Sequence, residues 1–319
     1  MELRVLRYFL AVAREENITK AAALLHVTQP TLSRQLMQLE DELGVKLFRR
    51  SQYRVVLTED GMLLRRRAQE IVELADKAER EMQHHEEELT GEIAIGCGES
   101  RSMTFLSKHI CAFRRLHRQV QFRIYSANAD DVKERIERGL LDMGLLTEPV
   151  DIGRYAFLRL PQKDRWGVLV PKEHPLVQKG SVAPRDLVGI PLLMSGRESV
   201  RSELAAWFGD EYEKIEVAAT FNLILNAANM VKNGVGVALC FDLGNVSDAL
   251  TFLPLSPELE TGTVLAWKKN QVCSAAAAAF LILQIRYSTL CKKGYTIQTS
   301  VQDVCIFYGA AGKAREMRA

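Results

Sequence analysis

The stretch FLAVAREENITKAAALLHVTQPTLSRQLMQLEDELGVKLFRRSQYRVVLTEDG, residues 9–61, decides the fold of the N-terminal part of the chain. Apolar residues spaced three and four apart predict a first helix around residues 3–13. Asn17 can cap a second helix over residues 18–25, because its side-chain oxygen accepts a hydrogen bond from a free backbone amide at the helix start. The stretch therefore predicts a small helical head.

A third helix follows a two-residue turn at 26–27 and has two different faces. Thr28 can cap this helix, and Pro30 fits its first turn, where a missing amide hydrogen costs nothing. Gly44 is placed to end it. Leucines form the inner stripe, whereas the outer face carries Gln, Thr, Ser and Arg, which hydrogen-bond to base edges and phosphates in a DNA major groove. The pattern predicts a DNA-binding helix-turn-helix, with a surface helix of a generic three-helix bundle as the alternative.

Two short predicted strands follow, at residues 46–50 and 54–57. Four basic residues lie in these strands: Lys46, Arg49, Arg50 and Arg54. A basic hairpin after a helix-turn-helix is typical of a wing, which touches the DNA backbone or the minor groove. Residues 1–58 are therefore predicted to form a winged helix-turn-helix domain.

Residues 59–89 predict one long linker helix, since they contain no proline and Gly61 is their only glycine. Its apolar positions alternate at spacings of four and three, and they are Leu64, Ala68, Ile71, Ala75, Ala78 and Met82. A seven-residue repeat is the seam of a coiled coil, which predicts a homodimer; one amphipathic helix lying on its own domain is the alternative. A dimer places two heads on half-sites about 34 Å apart, or a multiple of that, in an interrupted palindrome.

The net charge of +2 over the whole chain conceals segments of opposite sign. Residues 1–67 contain 12 Lys and Arg against 8 Asp and Glu, a surplus of four positive charges. Residues 68–90 contain 2 against 8, a surplus of six negative charges. A basic head next to an acidic linker is compatible with DNA binding by the head.

Composition predicts a soluble cytoplasmic protein. The 319 residues are 47% hydrophobic and 26% charged. They contain no run of eighteen apolar residues, so no membrane span is predicted. The N-terminus lacks the pattern of a signal peptide. The 6 cysteines form no CxxC pair, so neither a metal site nor a disulfide framework is predicted.

From residue 90 to about 290, predicted strands alternate with helices, which indicates an α/β domain with parallel strands. A first unit has strands at 92–96, 120–125 and 142–146 and helices at 104–117 and 129–138. A second has strands at 166–171, 191–194, 217–220 and 235–239 and helices at 198–208 and 222–232. The strand at 264–267 and the helix at 274–287 return to the first unit. Two lobes joined in this way form a cleft.

Polar residues follow several of these strands. In open α/β sheets, ligands bind beyond the carboxyl ends of strands, near helix N-termini. The candidate ligand-binding residues are Ser100, Arg101, Ser102, Ser126, Asn128, Thr147, Ser195, Arg197, Thr220 and Asn222. The alternative role of each one is helix capping. The two arginines favour an anionic ligand.

The N-terminal motifs resemble those of LysR-type transcriptional regulators. They are Ala21-Ala22-Ala23-Leu24-Leu25, Thr28-Gln29-Pro30-Thr31-Leu32-Ser33, Leu39-Glu40, Leu43-Gly44, Leu47-Phe48-Arg49-Arg50 and Leu57-Thr58. The resemblance extends to about residue 290 through Thr90-Gly91-Glu92-Ile93 and the segments 139–145 and 231–239. It implies that residues 29–35 enter the major groove and that the wing lies over the backbone. The implied DNA-binding residues are Thr28, Gln29, Pro30, Thr31, Ser33, Arg34, Gln35, Arg50 and Arg54. Within this set, we expect Gln29, Pro30 and Ser33 near bases, and Thr31, Arg34, Arg50 and Arg54 near phosphates.

The resemblance also implies a two-lobed effector domain over residues 90–290, similar to periplasmic solute-binding proteins. The expected protein is a DNA-binding regulator that responds to a small molecule, forms dimers through the linker and tetramers through the effector domains, and has RNA polymerase as a further partner. An α/β enzyme or a solute-binding module with an accessory helical domain is the alternative, although no GxSxG, HExxH or P-loop motif occurs. Residues 291–319 form an extension for which no role is predicted.

Overall fold

The chain divides into two compact units, Met1–His85 and Glu86–Ala319. The computed structural model describes residues 1–50, 55–82, 89–269, 273–291 and 296–297. Of Arg50 and of residues 80–82, 287–291 and 296–297 it describes the backbone alone.

The first unit begins with three helices whose ends follow the predicted caps. They are α1 (Leu3–Glu15), α2 (Ile18–Leu24) and α3 (Gln29–Leu43). The Asn17 side chain accepts a hydrogen bond from the Lys20 amide at 2.9 Å, and Thr28 Oγ1 accepts one from the Thr31 amide at 3.4 Å. Gly44 ends α3 with φ 71°, a left-handed conformation that glycine adopts without a steric penalty. These helix predictions are confirmed.

The turn between α2 and α3 contains a residue with strained backbone geometry. His26 has φ 53°, in the left-handed region that side chains with a Cβ disfavour. His26→Gly is therefore expected to stabilise the helix-turn-helix by up to about 1 kcal/mol. Slower amide hydrogen exchange across α3 in the full chain would show it. His26→Ala, which keeps the Cβ, is the control, and equal exchange in the two variants would contradict the explanation.

The predicted wing strands pair antiparallel, with Phe48 opposite Leu57. They are β1 (Phe48–Arg50) and β2 (Val55–Leu57), followed by the linker helix α4 (Glu59–Met82). The remainder of the predicted linker helix, residues 83–88, lies outside the described residues.

The core of the first unit corrects part of the predicted coiled-coil seam. Ala68 is fully buried and Leu64 half-buried in the same cluster as Phe9 and Leu36. Arg7 on α1 also pairs with Asp76 on α4 at 2.5 Å. The linker helix thus packs against the head of the same chain. The stripe of small and apolar side chains on α4 fits against α1. Ala68 is therefore not available to a second copy, and Leu64 is available only in part.

The second unit alternates strands and helices. Its strands are β3 (Gly91–Cys97), β4 (Val120–Ser126), β5 (Met143–Thr147), β6 (Tyr155–Pro171), β7 (Pro191–Ser195), β8 (Glu216–Phe221), β9 (Val237–Phe241), β10 (Leu250–Pro254), β11 (Glu260–Lys268) and β12 (Thr296–Ile297). Its α-helices are α5 (Ser102–Leu116), α6 (Ala129–Glu137), α7 (Glu198–Phe208), α8 (Ile224–Lys232) and α9 (Ala275–Cys291).

Two lobes are present, as predicted. The first lobe has strand order β4-β3-β5-β11-β6, with β3 parallel to β4 and β5. Its core lies between β3, α5 and α9, where Phe280 packs edge-on against Phe113 at 5.2 Å. The second lobe continues from β6 through β9 and β7 to β8, and its separate core includes Trp166 and Leu204.

Strand β6 joins the two lobes. Its first part pairs with β11 in the first lobe, and from Trp166 onward it pairs with β9 and β10 in the second. The predicted strand at 166–171 was therefore only its second part, and β10 was not predicted. The polar run at 162–165 hides the first part, because it interrupts the apolar pattern where the strand crosses between lobes.

Candidate DNA interface and effector cleft

The N-terminal face of α3 is open to solvent. Most of the predicted DNA-binding residues on it are exposed: Thr28, Gln29, Pro30, Thr31 and Arg34. Gln35 is half-buried on the same helix. The Thr28 and Thr31 hydroxyls lie 2.8 Å apart, so one donates to the other at the helix start. Free backbone amides and the helix dipole make such an end favourable for a phosphate.

Ser33 differs from its neighbours because the residue is only 9% exposed. The 3.6-residue period turns it toward the helix side that carries Leu32 and Leu36, both in the core. A base contact needs a side chain that the groove can reach. The contact of Ser33 with bases therefore stays a prediction.

The wing brings a further cation to the surface of the first unit. Arg49 is exposed on β1, opposite Val56 of β2. The backbone of Arg50 continues that strand. The side chain of Arg50 and all of Arg54 lie outside the described residues, so their predicted phosphate contacts stay predictions.

Glu40 fixes the wing to α3. Its buried carboxylate accepts hydrogen bonds from the backbone amides of Leu47 at 2.8 Å and Phe48 at 3.2 Å, and from Lys46 Nζ at 3.1 Å. Burial raises the pKa of Glu40, but these hydrogen bonds and the Lys46 charge outweigh it, so the pKa lies below its ordinary value. The carboxylate thus sets the position of the wing relative to α3.

Glu40→Ala is expected to destabilise the first unit by about 2–4 kcal/mol, since it leaves two buried amides without acceptors. Because the folded pKa is lowered, the stabilisation by Glu40 is full above its ordinary pKa of 4.5 and is lost as the pH falls through the folded pKa. Hydrogen exchange at residues 46–50, followed against pH, measures both effects. Exposed Glu42→Ala serves as the comparison, and equal losses in the two variants would contradict the assigned role.

The polar residues predicted at the strand ends lie around the junction of the two lobes. Ser100 and Ser102 are buried where β3 leads into α5. A buried carboxylate of β6, Asp164, accepts hydrogen bonds from the Arg101 amide at 2.8 Å and from Ser102 Oγ at 3.0 Å. Sequence reasoning missed Asp164, because nothing in its neighbourhood along the chain indicates that it bonds to the start of α5.

Both predicted arginines form ion pairs across the cleft. Arg101 of the first lobe lies 3.2 Å from Asp242, which follows β9 in the second. Arg197 of the second lobe donates to Asp130 at 3.0 Å and to the Pro149 carbonyl at 3.1 Å, both in the first. An anion that enters the cleft must therefore compete with the chain's own carboxylates for each arginine.

The other candidates fall into two groups. Asn128 caps α6, since its side-chain oxygen accepts from the amides of Asp130 and Asp131, and Ser195 Oγ accepts from the Arg197 amide at 3.3 Å. Asn128 thus caps α6, as the alternative expects, whereas Ser195 stabilises the turn before α7, whose N-cap residue is Arg197. The remaining candidates are at least partly exposed near strand ends, and they are Ser126, Thr147, Thr220 and Asn222.

Two family models cover most of the chain. Residues 3–62 match "Bacterial regulatory helix-turn-helix protein, lysR family", and residues 86–283 match "LysR substrate binding domain". The Hca operon transcriptional activator HcaR of Escherichia coli is 31% identical over 303 residues, with 91% of this chain and 99% of that protein covered. AlsR of Bacillus subtilis is 32% identical over 206 residues, 62% of this chain and 66% of that protein.

Solved structures agree with these matches. CbnR, a LysR family transcriptional regulator, shares the fold with a TM-score of 0.71 at 20% identity, over 90% of this chain and 99% of that one. Full-length BenM gives a TM-score of 0.51 at 26% identity, over 94% of this chain and 100% of that one.

The helix-turn-helix, the two-lobed α/β domain and these relatives define a DNA-binding transcriptional regulator with a domain for a small-molecule effector, not an enzyme. The chain belongs to the LysR family. Among the described residues, no group of three His, Cys, Asp or Glu can hold a metal ion. In the same part of the chain, no helix has the length and apolar character to span a membrane.

Proposed function

We propose that the regulator reads DNA with the exposed N-terminal face of α3. Gln29 and Pro30 contact base edges, with Pro30 against a thymine methyl, and Thr31 and Arg34 bind phosphates. Thr28 and Gln35 flank this set, and Arg50 and Arg54 extend it from the wing. Ser33, which is 9% exposed, is the least accessible of the residues proposed to lie near bases. The observation that carries the proposal is the solvent-exposed, mostly uncharged polar surface of α3.

Two copies pair through the linker helix so that two heads bind an interrupted palindrome. The apolar side chains Leu63, Ile71 and Leu74 of α4 are 62%, 41% and 45% exposed. A second copy would cover such a surface, since exposed apolar stripes on a helix favour association. The corresponding domain limits are 1–58 for the head, 59–89 for the linker, 90–290 for the effector domain and 291–319 for the extension.

The effector enters the cleft between the lobes and meets the ten polar residues predicted there. An anionic effector would replace Asp242 on Arg101 or Asp130 on Arg197, because both guanidinium groups are already paired. Its binding alters DNA affinity only through a different affinity for the two lobe arrangements. In the cytoplasm, paired effector domains would complete a tetramer that acts on RNA polymerase.

Selection of genomic DNA fragments by the purified full-length protein tests this proposal. We expect enrichment of one interrupted palindrome with half-sites about one helical turn or a multiple of it apart. Fragments recovered in proportion to bulk DNA would refute sequence-specific recognition.

A further inference from the structure

Helix α8 has no capping side chain of its own. Its N-cap residue is Leu223, which makes no side-chain cap hydrogen bond. The first amides of any helix lack partners within the helix, and leucine is among the poorest N-caps because it carries no acceptor. The start of α8 therefore needs an acceptor from elsewhere in the fold.

Glu99 supplies that acceptor from the other lobe. Its Oε2 accepts hydrogen bonds from the backbone amides of Ile224, at close contact, and of Leu225, at 3.3 Å. Glu99 follows β3 in the first lobe, whereas α8 packs through Ala227 and Val231 into a core of the second. The carboxylate thus connects the lobes, and its negative charge lies at the positive end of the helix dipole.

A second side chain, Arg197, also connects the two lobes. Arg197 reaches from the second lobe to Asp130 and to the Pro149 carbonyl, and its side chain is only 9% exposed. Asp130 is 63% exposed, so solvent partly screens this ion pair, whereas the hydrogen bond from Arg197 to the Pro149 carbonyl does not depend on that charge. Glu99 and Arg197 form hydrogen bonds with different partners. Any energetic coupling between the two side chains therefore arises because both need the lobes to be close together.

We propose that Glu99 is an interlobe latch. Its carboxylate caps α8 across the cleft and holds the two lobes in the arrangement described here, which a bound effector then retains or releases. While Glu99 occupies the start of α8, an effector's anionic group is received at another position in the cleft. The contact made by Glu99 lies entirely within the second unit and does not depend on the proposed function. Only the effect of the latch on DNA binding rests on that function.

Amide hydrogen exchange of the full-length protein, read by mass spectrometry over residues 222–228, tests the cap. Glu99→Ala is expected to speed exchange at Ile224 and Leu225 about tenfold, because hydrogen bonds to a charged acceptor are lost. Glu99→Gln keeps a neutral acceptor and is expected to show a smaller increase. Glu134→Ala removes an exposed glutamate from α6, which pairs with Arg138 in its own helix, and is expected to change nothing.

Sodium formate is the probe for the vacated position. It carries the carboxylate that Glu99→Ala lacks, so formate is expected to restore protection at Ile224 and Leu225 in that variant, relative to equal sodium chloride, and not in the wild type. Exchange rates equal to wild type in Glu99→Ala would overturn the latch. Faster exchange that formate leaves unchanged would also overturn it.

A double-mutant cycle tests the connection between lobes. If Glu99 and Arg197 stabilise the same closed arrangement, Glu99→Ala with Arg197→Ala will lower the melting temperature by less than the sum of the single variants. Additive losses would mean that Glu99 caps α8 without holding the lobes. Neither measurement involves DNA, so failure of the latch is distinct from failure of the proposed function.

Discussion

Leu74→Asp is expected to separate the paired heads and to weaken binding to the selected palindrome by about 10²–10⁴-fold. Leu74 is 45% exposed on α4 and does not belong to the core cluster of the head that Leu64 and Ala68 join. A charged side chain in an apolar seam must be desolvated without a partner, so the pairing surface is lost while the head keeps its own core. With one head bound, the second no longer benefits from the high local concentration that pairing provides.

Sedimentation equilibrium and DNA binding by fluorescence anisotropy measure the two consequences of Leu74→Asp. Gln69→Asp is the matched control, because it adds the same charge to an exposed position about 140° around the same helix. Equal association and equal affinity in the two variants would contradict pairing through this face. A variant with reduced mass but unchanged affinity would show that one head suffices.

Arg34→Ala is expected to reduce affinity for DNA about 10–100-fold and to do so on all sequences. Arg34 is exposed on α3, and the proposal assigns it to a phosphate, where a charged hydrogen bond contributes about 1.5–3 kcal/mol. Loss of one phosphate contact also removes one released counterion. The slope of log affinity against log salt should therefore fall in magnitude by about 0.9 per head.

A salt titration of wild type, Arg34→Ala and Arg14→Ala separates this contact from general charge. Arg14 is an exposed arginine of α1 that pairs with Glu15. Its removal changes the net charge by the same amount without touching α3. An unchanged salt slope in Arg34→Ala, or an equal change in both variants, would contradict the assignment of Arg34.

Capping residues and apolar periodicity predicted those elements whose ends and buried face are determined by neighbouring residues in the chain. Thr28, Pro30 and Gly44 fix the ends of α3 through caps and backbone conformation, and the structure places all three as predicted. The bounds of α7, Glu198–Phe208, were also predicted residue for residue. One buried stripe with a clear helical period identifies such elements without reference to the rest of the fold.

Contacts between distant segments were not predictable in this way. Asp164 accepts hydrogen bonds at the start of α5 from residues 62 and 63 positions away, and Glu99 caps α8 from 125 residues away. Nothing in the flanking residues marks either carboxylate for these contacts, because its partners are set by the crossing of strands between lobes. For the same reason the period of α4 predicted a seam but could not show that Ala68 is buried by α1.

Sequence-specific recognition by α3 is tested most directly by a ratio of two affinities. One is the affinity for the selected palindrome, and the other is the affinity for a scrambled duplex of equal length and composition. Competition anisotropy with the full-length protein at physiological salt gives that ratio. Specific regulators bind their sites about 10³–10⁷-fold more tightly than other DNA, so we predict a ratio of at least about 10³. A ratio near one would contradict sequence-specific recognition of DNA by α3.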